Sequence, residues 1–397
     1  MEEFKLVSRV PEGGSLPDFL AKSELAQVRH FHESFPQYAP TPLVSLADTA
    51  KVLGVGKIWV KDESKRFGLN AFKVLGGSWA VGTLLAEKLG IPLNQISWEA
   101  LTAPENKEKL GHITFVTATD GNHGRGVAWS AAQFGQKSVV YMPKGSARER
   151  LGNIRAAGAE ASIIDGNYDD AVRLASKMAQ DRGWLLVQDT AWPGYEEIPK
   201  RIMQGYCTLG LEILQQLEEA PTHIFLQAGV GSLAGAMAGL FAASLKPKPI
   251  ITVVEPNRAD CLFRTAKADD GRLHVVTGDM DTIMAGLACG EPCSIAWDVL
   301  KAAADHFIAC PDSAAACGMR ILGNPAGEDK RIISGESGAA AFGCVARILT
   351  DPELTWMKER LQLNERSRLL FISTEGDTDR ENYRAIVWEG KFDVQSK

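Results

Sequence analysis

Short apolar runs recur along the chain, separated by stretches with the spacing of helices. The runs lie at 57–62 (KIWVKD), 112–117 (HITFVT), 137–142 (KSVVYM), 162–165 (SIID), 184–189 (WLLVQD), 223–227 (HIFLQ), 250–256 (IITVVEP) and 368–374 (RLLFIST). Helical patterns fill 124–134, 147–156 and 168–182, and a further helix of small residues starts near Ser232. Strand and helix in alternation predict right-handed βαβ units, hence an α/β fold of open, mainly parallel twisted sheets with helices on both faces. Ligands of such sheets sit beyond the carboxyl ends of the strands. Four loops are therefore on the functional side: the one carrying Asp120, the one after Asp189, the one at Gly229, and the one after Ser373. There is no internal repeat, and segments 104–111 and 323–330 read as solvated surface loops.

Length and charge narrow the class. A chain of 397 residues exceeds one simple core and predicts two or three domains. The balance of 43 Lys and Arg against 49 Asp and Glu, a net charge of −6, provides no footprint for nucleic acid and favours a small polar or zwitterionic partner. The first residues, MEEFKLVSRVPEGG, lack the basic-then-apolar layout of an export signal, so a cytoplasmic location is expected. Seven cysteines, an odd number without the paired spacing of a zinc site, read as reduced thiols; Cys289 and Cys293 are the one close pair, and no metal is expected. The uncharged segment 224–245 approaches the length of a membrane span. Its glycine turn after Leu226 instead gives a buried strand, a loop and a helix, so no membrane partner is expected.

Three stretches carry candidate chemistry. Gly229, Val230, Gly231 and Ser232 follow a strand and open a helix, which makes an anion site of free N–H groups and helix dipole. The spacing Gly229-x-Gly231-x-x-Ala234, with Glu255 ending the next strand, fits a dinucleotide; a single phosphate monoester fits equally. Lys73, in Asn70-Ala71-Phe72-Lys73, becomes a Schiff-base former if burial beside a cationic cofactor lowers its pKa. The third stretch is TATDGNHGRG at 117–126, a glycine turn of the kind that presents N–H groups to an anion, yet with a carboxylate, Asp120, in the middle of it.

Taken in order, Thr41-Pro42-Leu43, Lys61-Asp62-Glu63, Asn70-Ala71-Phe72-Lys73, Gly121-Asn122-His123-Gly124, the loop AGVGS at 228–232 and STEGD at 373–377 resemble the pyridoxal-phosphate enzymes of the tryptophan-synthase β-chain fold, fold type II, which include the threonine and serine dehydratases. The likeness runs from about residue 38 to 380. Within that group TATDGNHGRG and QDTAWPGY at 188–195 look most like the diaminopropionate ammonia-lyases. The resemblance implies pyridoxal 5'-phosphate in the cleft between two domains, an amino-acid substrate and a homodimer. The larger domain would be 1–80 with 190–397, and the smaller 81–189.

The same resemblance makes Lys73 the Schiff-base lysine and gives the phosphate to Gly229, Val230, Gly231 and Ser232. Asn122 would lie near the cofactor's phenolic oxygen and Ser373 or Thr374 at the pyridine nitrogen. Glu336, in SGESGAA, reads either as a residue near the ring oxygen or imine or as the acid of a helix N-terminus. A hydroxyl at the ring nitrogen leaves a moderate electron sink suited to β-elimination. Asp120 stands where dehydratases usually carry Ser. It is read as the base that takes the α-proton of the D-isomer while Lys73 serves the L-isomer, with Asp189 helping to hold the departing ammonium. The expected reaction is elimination of D- or L-2,3-diaminopropionate to pyruvate and two ammonia. The alternatives are a threonine or serine dehydratase of the same fold and a nicotinamide-dependent dehydrogenase built on the Gly229 loop and Glu255. Tyr168 reads first as a residue packed at a strand end and second as one that reaches the substrate, and His123 first as one that caps or packs and second as a catalytic group.

Overall fold

The computed structural model describes residues 3–14 and 16–393. Its strands are β1 (Lys5–Ser8), β2 (Leu43–Ser45), β3 (Lys57–Asp62), β4 (Thr114–Ala118), β5 (Lys137–Met142), β6 (Glu160–Ile163), β7 (Leu185–Leu186), β8 (His223–Gln227), β9 (Ile250–Pro256), β10 (His306–Cys310) and β11 (Arg368–Ser373). They form a seven-stranded sheet in the order β1-β10-β9-β8-β11-β3-β2 and a four-stranded sheet in the order β6-β5-β4-β7. All pairings are parallel except the two outermost of the larger sheet, β1 on β10 and β2 on β3. The α/β reading holds. The strands it lacks are the short edges β1 and β2, and β10, whose buried run HFIAC lies between alanine-rich helices and merges with their apolar pattern.

The chain forms two compact units, one within residues 1–16, 41–65 and 210–397, the other within 17–40 and 66–209. Each sheet belongs to one unit. In the first, Phe225 of β8 stacks on Phe371 of β11 at 5.4 Å, and Phe371 meets Phe342 edge-on at 5.3 Å, which seats helix Glu336–Thr350 on the sheet. In the second, Phe31 of helix Lys22–Glu33 packs against Trp79 of helix Val74–Leu89 at 5.3 Å. That aromatic contact joins segment 17–40 to helix Val74–Leu89 within this unit.

Two local expectations are corrected. Segment 104–111 is no loop: Pro104–Leu110 is a helix with proline at its start, where a missing N–H costs nothing, and Asn106 Nδ2 anchors it to the Ala100 carbonyl at 2.9 Å. Its charged composition hides the helix because it has no apolar stripe. The run 184–189 yields only two paired residues, Leu185–Leu186. Segment 224–245 is strand β8 followed by helix Ser232–Ser244, and among the described residues no helix is long and apolar enough to cross a membrane.

Candidate active site

In the four-stranded sheet the chain runs from β4 outward through β5 to β6, then returns to the other side of β4 as β7. The reversal opens a crevice beyond the carboxyl ends of β4 and β7, where open α/β sheets bind ligands. Asp120 leaves β4 and Asp189 follows β7, so both predicted carboxylates are at this switch point.

Lys73 is brought there by its own turn and by helix Asn122–Gln133. Asn70 takes the left-handed conformation, φ 59°, which asparagine tolerates better than most residues, and Lys73 immediately precedes helix Val74–Leu89. That helix crosses helix Asn122–Gln133 through two glycines. A Cβ on Gly126 would lie 2.9 Å from Val74 Cα, and one on Gly77 would lie 3.1 Å from the Gly126 carbonyl carbon. Arg125 Nη1 donates to the Leu69 carbonyl at 2.8 Å, tying the second helix to the turn before Lys73. Gly126, the last glycine of GNHGRG, therefore serves close helix packing.

Lys73 Nζ donates to Asp189 Oδ2 at 2.5 Å, and the side chains are 18% and 5% exposed. Burial works against the ammonium, but Asp189, then Tyr206 and Asp120, more than offset it and hold Lys73 above the ordinary lysine range. With Asp189 as its partner the amine is held as the ammonium. Asp189 responds in kind: burial opposes its charge, yet Lys73 and His123 keep it well below the usual carboxylate range. His123 Nε2 bonds the Val187 carbonyl at 2.8 Å, which assigns its proton to Nε2, and Nδ1 faces Asp189 Oδ2 at 3.9 Å. Burial lowers its pKa, so the ring is neutral near pH 7.

The remaining groups of this crevice are polar and fixed. Tyr168, at the start of helix Tyr168–Arg182, directs its hydroxyl to Asp189 Oδ1 at 3.5 Å and accepts from Gln188 Nε2 at 2.8 Å. Asp120 Oδ2 lies 3.6 Å from Arg150 Nη1, whose side chain is 9% exposed. Asn122 is the first residue of its helix. Sequence reasoning assigns no role to Gln188 or Arg150: Arg150 stands in none of the motifs, and Gln188 opens the run QDTAWPGY without being singled out in it.

The seven-stranded sheet has a switch point of its own. The chain runs from β8 through β9 to β10, then crosses back to the far side of β8 as β11. The Gly229 loop follows β8, and Ser373 ends β11 with Thr374 directly after it, so these predicted cofactor residues come together at one crevice. Gly231 has φ +102° and caps helix Ser232–Ser244, whose first N–H groups face the loop. Gln227 Nε2 donates to the Ile372 carbonyl at 2.7 Å and to Thr374 Oγ1 at 3.2 Å, while Ser373 Oγ bonds Ser334 Oγ at 2.7 Å. Glu336 is buried at the head of helix Glu336–Thr350 and accepts from Asn382 Nδ2.

Glu255 does not fit a ribose. Its carboxylate is fully buried and accepts the N–H groups of Leu262 at 2.9 Å and Phe263 at 2.6 Å, closing the first turn of helix Cys261–Ala268. Both oxygens serve a helix cap, which removes the dinucleotide reading of the loop. Around the same loop, Cys293 N–H donates to the Val230 carbonyl at 2.8 Å. The seven cysteines are free thiols, and among the described residues no group of three or more His, Cys, Asp or Glu side chains could hold a metal ion.

The residues present suit pyridoxal phosphate: a left-handed glycine and a helix start for a phosphate monoester, and a buried primary amine for its aldehyde. Known proteins agree. A model of pyridoxal-phosphate dependent enzymes matches residues 35–355. The diaminopropionate ammonia-lyase of Salmonella typhimurium is 55% identical over 371 residues, 92% of each chain. That of Escherichia coli is 51% identical over 386 residues, 96% of this chain and 95% of its own. The crystal structure of holo diaminopropionate ammonia lyase from Escherichia coli superposes with a TM-score of 0.93 at 48% identity, covering 100% of this chain and 99% of that one.

Proposed function

The chain belongs to the diaminopropionate ammonia-lyases within the pyridoxal-phosphate dependent enzymes, and we propose on that premise that it eliminates ammonia from 2,3-diaminopropionate, D or L, to give pyruvate and a second ammonia. The observation that carries the reading is the grouping of Lys73, Asp189 and Asp120 at one switch point. A hydroxyl substrate needs one acid to protonate its leaving group. A diamine arrives as an ammonium and needs anions that hold it.

Bound pyridoxal phosphate supplies an electron sink for the charge left when the α-proton departs. The protein's residues do the rest. Lys73 would hold the cofactor through its amine, and the same amine would take the α-proton of the L-isomer. Asp120 takes that proton from the D-isomer, and Asp189 holds the β-ammonium. Gly229, Val230, Gly231 and Ser232 would hold the phosphate, with Asn122 and Glu336 holding the ring. Of the two hydroxyls at the end of β11, Thr374 is the better donor to the ring nitrogen, because its oxygen accepts from Gln227 and so keeps its proton to give. The protein is further read as a homodimer of the cytoplasm, in keeping with its relatives' fold and its free thiols.

The test is product stoichiometry on both isomers of the diamine. Two ammonia per pyruvate are expected, with little turnover of threonine. One ammonia per pyruvate from serine or threonine, with the diamine inert, would overturn the reading in favour of a dehydratase.

A further inference from the structure

One fully buried amide beside Asp189 has no part in this scheme. The parallel ladder between β4 and β7 ends where Val187 N–H donates to the Val116 carbonyl at 2.9 Å. The next strand donor, Ala118 N–H, turns instead to Gln188 Oε1 at 3.0 Å, and Thr117 Oγ1 gives the same oxygen a second bond at 3.1 Å. A main-chain N–H can only donate, so the amide orientation is fixed. Nε2 must face the other way, toward the Tyr168 hydroxyl at 2.8 Å and Asp189 Oδ1 at 3.4 Å. The main chain is held as well: Gln188 N–H donates to Tyr195 Oη at 2.8 Å, and that hydroxyl donates to the Leu186 carbonyl at 3.0 Å.

One side chain thus joins the strand that leads into Asp120 to the carboxylate of Asp189. The joint matters most when Lys73 is bonded to cofactor and no longer gives Asp189 a free ammonium. A buried carboxylate stripped of its cation takes up a proton unless other donors serve it. Gln188 Nε2 and the Tyr168 hydroxyl are donors already in place on Oδ1.

We propose that Gln188 is a positioning residue of the elimination, which keeps Asp189 fixed and ionised beside the Asp120 turn so that the substrate's β-ammonium meets a ready anion. The inference rests on the reading of Asp189 as the ammonium holder.

The test is Gln188→Glu in the cofactor-loaded enzyme. The variant keeps the acceptor for Ala118 but replaces the donor with a second oxygen. Its kcat/KM for the diamine, divided by that of the unaltered enzyme, should be down about tenfold or more at pH 8 and should climb toward one as pH falls and the new carboxyl regains an O–H. A ratio independent of pH would mean a merely structural role and overturn the proposal. Without substrate, the visible band of the bound cofactor should titrate at higher pH in the variant, since the added charge favours the protonated form; an unchanged midpoint counts against it. Should Gln188→Glu fail to fold, Tyr168→Phe removes one of the donors on Asp189 Oδ1. The acid limb of its profile should move up, and a profile superimposable on the unaltered one would sink the idea. If the unaltered enzyme leaves the diamine untouched, the substrate reading fails, and the band titration still tests Gln188.

Discussion

Lys73 Nζ and Asp189 Oδ2 are 2.5 Å apart, each withdrawn from solvent and each shifting the other's titration toward the charged form. The pair cannot survive cofactor loading unchanged, because the lysine nitrogen is then bonded elsewhere. In the cofactor-free protein it is a contribution to stability with a defined pH window. Lys73 is raised, so its contribution is present below the unfolded lysine value of about 10.4 and is lost as pH rises through the folded value. Asp189 is lowered, so its contribution is present above about 3.9 and is lost as pH falls through its folded value.

Melting temperature measured against pH checks this. Lys73→Met in cofactor-free protein should melt lower than the unaltered chain at about pH 8, and the gap should narrow as pH falls, because Asp189 without its cation takes up a proton at higher pH than it does beside Lys73. A gap that persists undiminished into strong acid would show that the pair contributes through packing alone. His123 adds a separate acid effect of the same sign. It is buried neutral with a lowered pKa, so stability should begin to fall below about pH 6.5 in both proteins.

Asp120→Asn separates the two isomers. The carboxylate lies beside Arg150, and its loss leaves the amine of Lys73 as the base of this crevice. Turnover of the D-isomer should fall by about 10²–10⁴-fold, the usual contribution of a general base, with the L-isomer retaining most of its rate. Equal losses in kcat on the two isomers would return Asp120 to a role in binding or packing.

The α/β architecture was legible because the central strands are short apolar runs bounded by polar turns, and because loops at their carboxyl ends are where such sheets bind ligands. Lys73, Asp120, Asp189 and the Gly229 loop were legible because each sits in an ordered motif. What the pattern could not carry was long-range. β10 disappears among alanine-rich helices, and helix Pro104–Leu110 lacks a stripe. The packing of Phe31 on Trp79 links segments far apart in sequence. The electrostatic environment was hidden for the same reason: only the fold places Asp189 against Lys73. Gln188 shows the limit most clearly, since its role lies in which backbone donor a strand leaves unpaired.

Glu255→Ala tests the cap that displaced the ribose reading. Removing the carboxylate strips two main-chain N–H groups of their acceptor in a dry site, each worth about 1–3 kcal/mol when left unsatisfied. Denaturant unfolding should show a loss within the range of a few kcal/mol. Cofactor content and isomer preference should be little changed at a temperature where the variant is folded. If instead stability is kept and cofactor loading is lost, Glu255 contacts the ligand and the cap is incidental.

Gly126→Ala probes the packing that places Lys73. The added methyl would stand 2.9 Å from both Val74 N and Val74 Cα and 3.1 Å from the Lys73 carbonyl carbon, all main-chain atoms that cannot rotate aside. Helix Val74–Leu89 must then move away from helix Asn122–Gln133, and Lys73 moves with it. Overpacking of this kind costs about 1–3 kcal/mol. The specific expectation concerns the site as well as the fold: cofactor bound per chain and kcat should both fall in Gly126→Ala. Alanine at Gly135, whose Cβ would meet nothing within 4 Å, should lower stability through its left-handed backbone while leaving both unchanged. Normal cofactor content and kcat in Gly126→Ala would show that the helix crossing can relax without displacing the lysine.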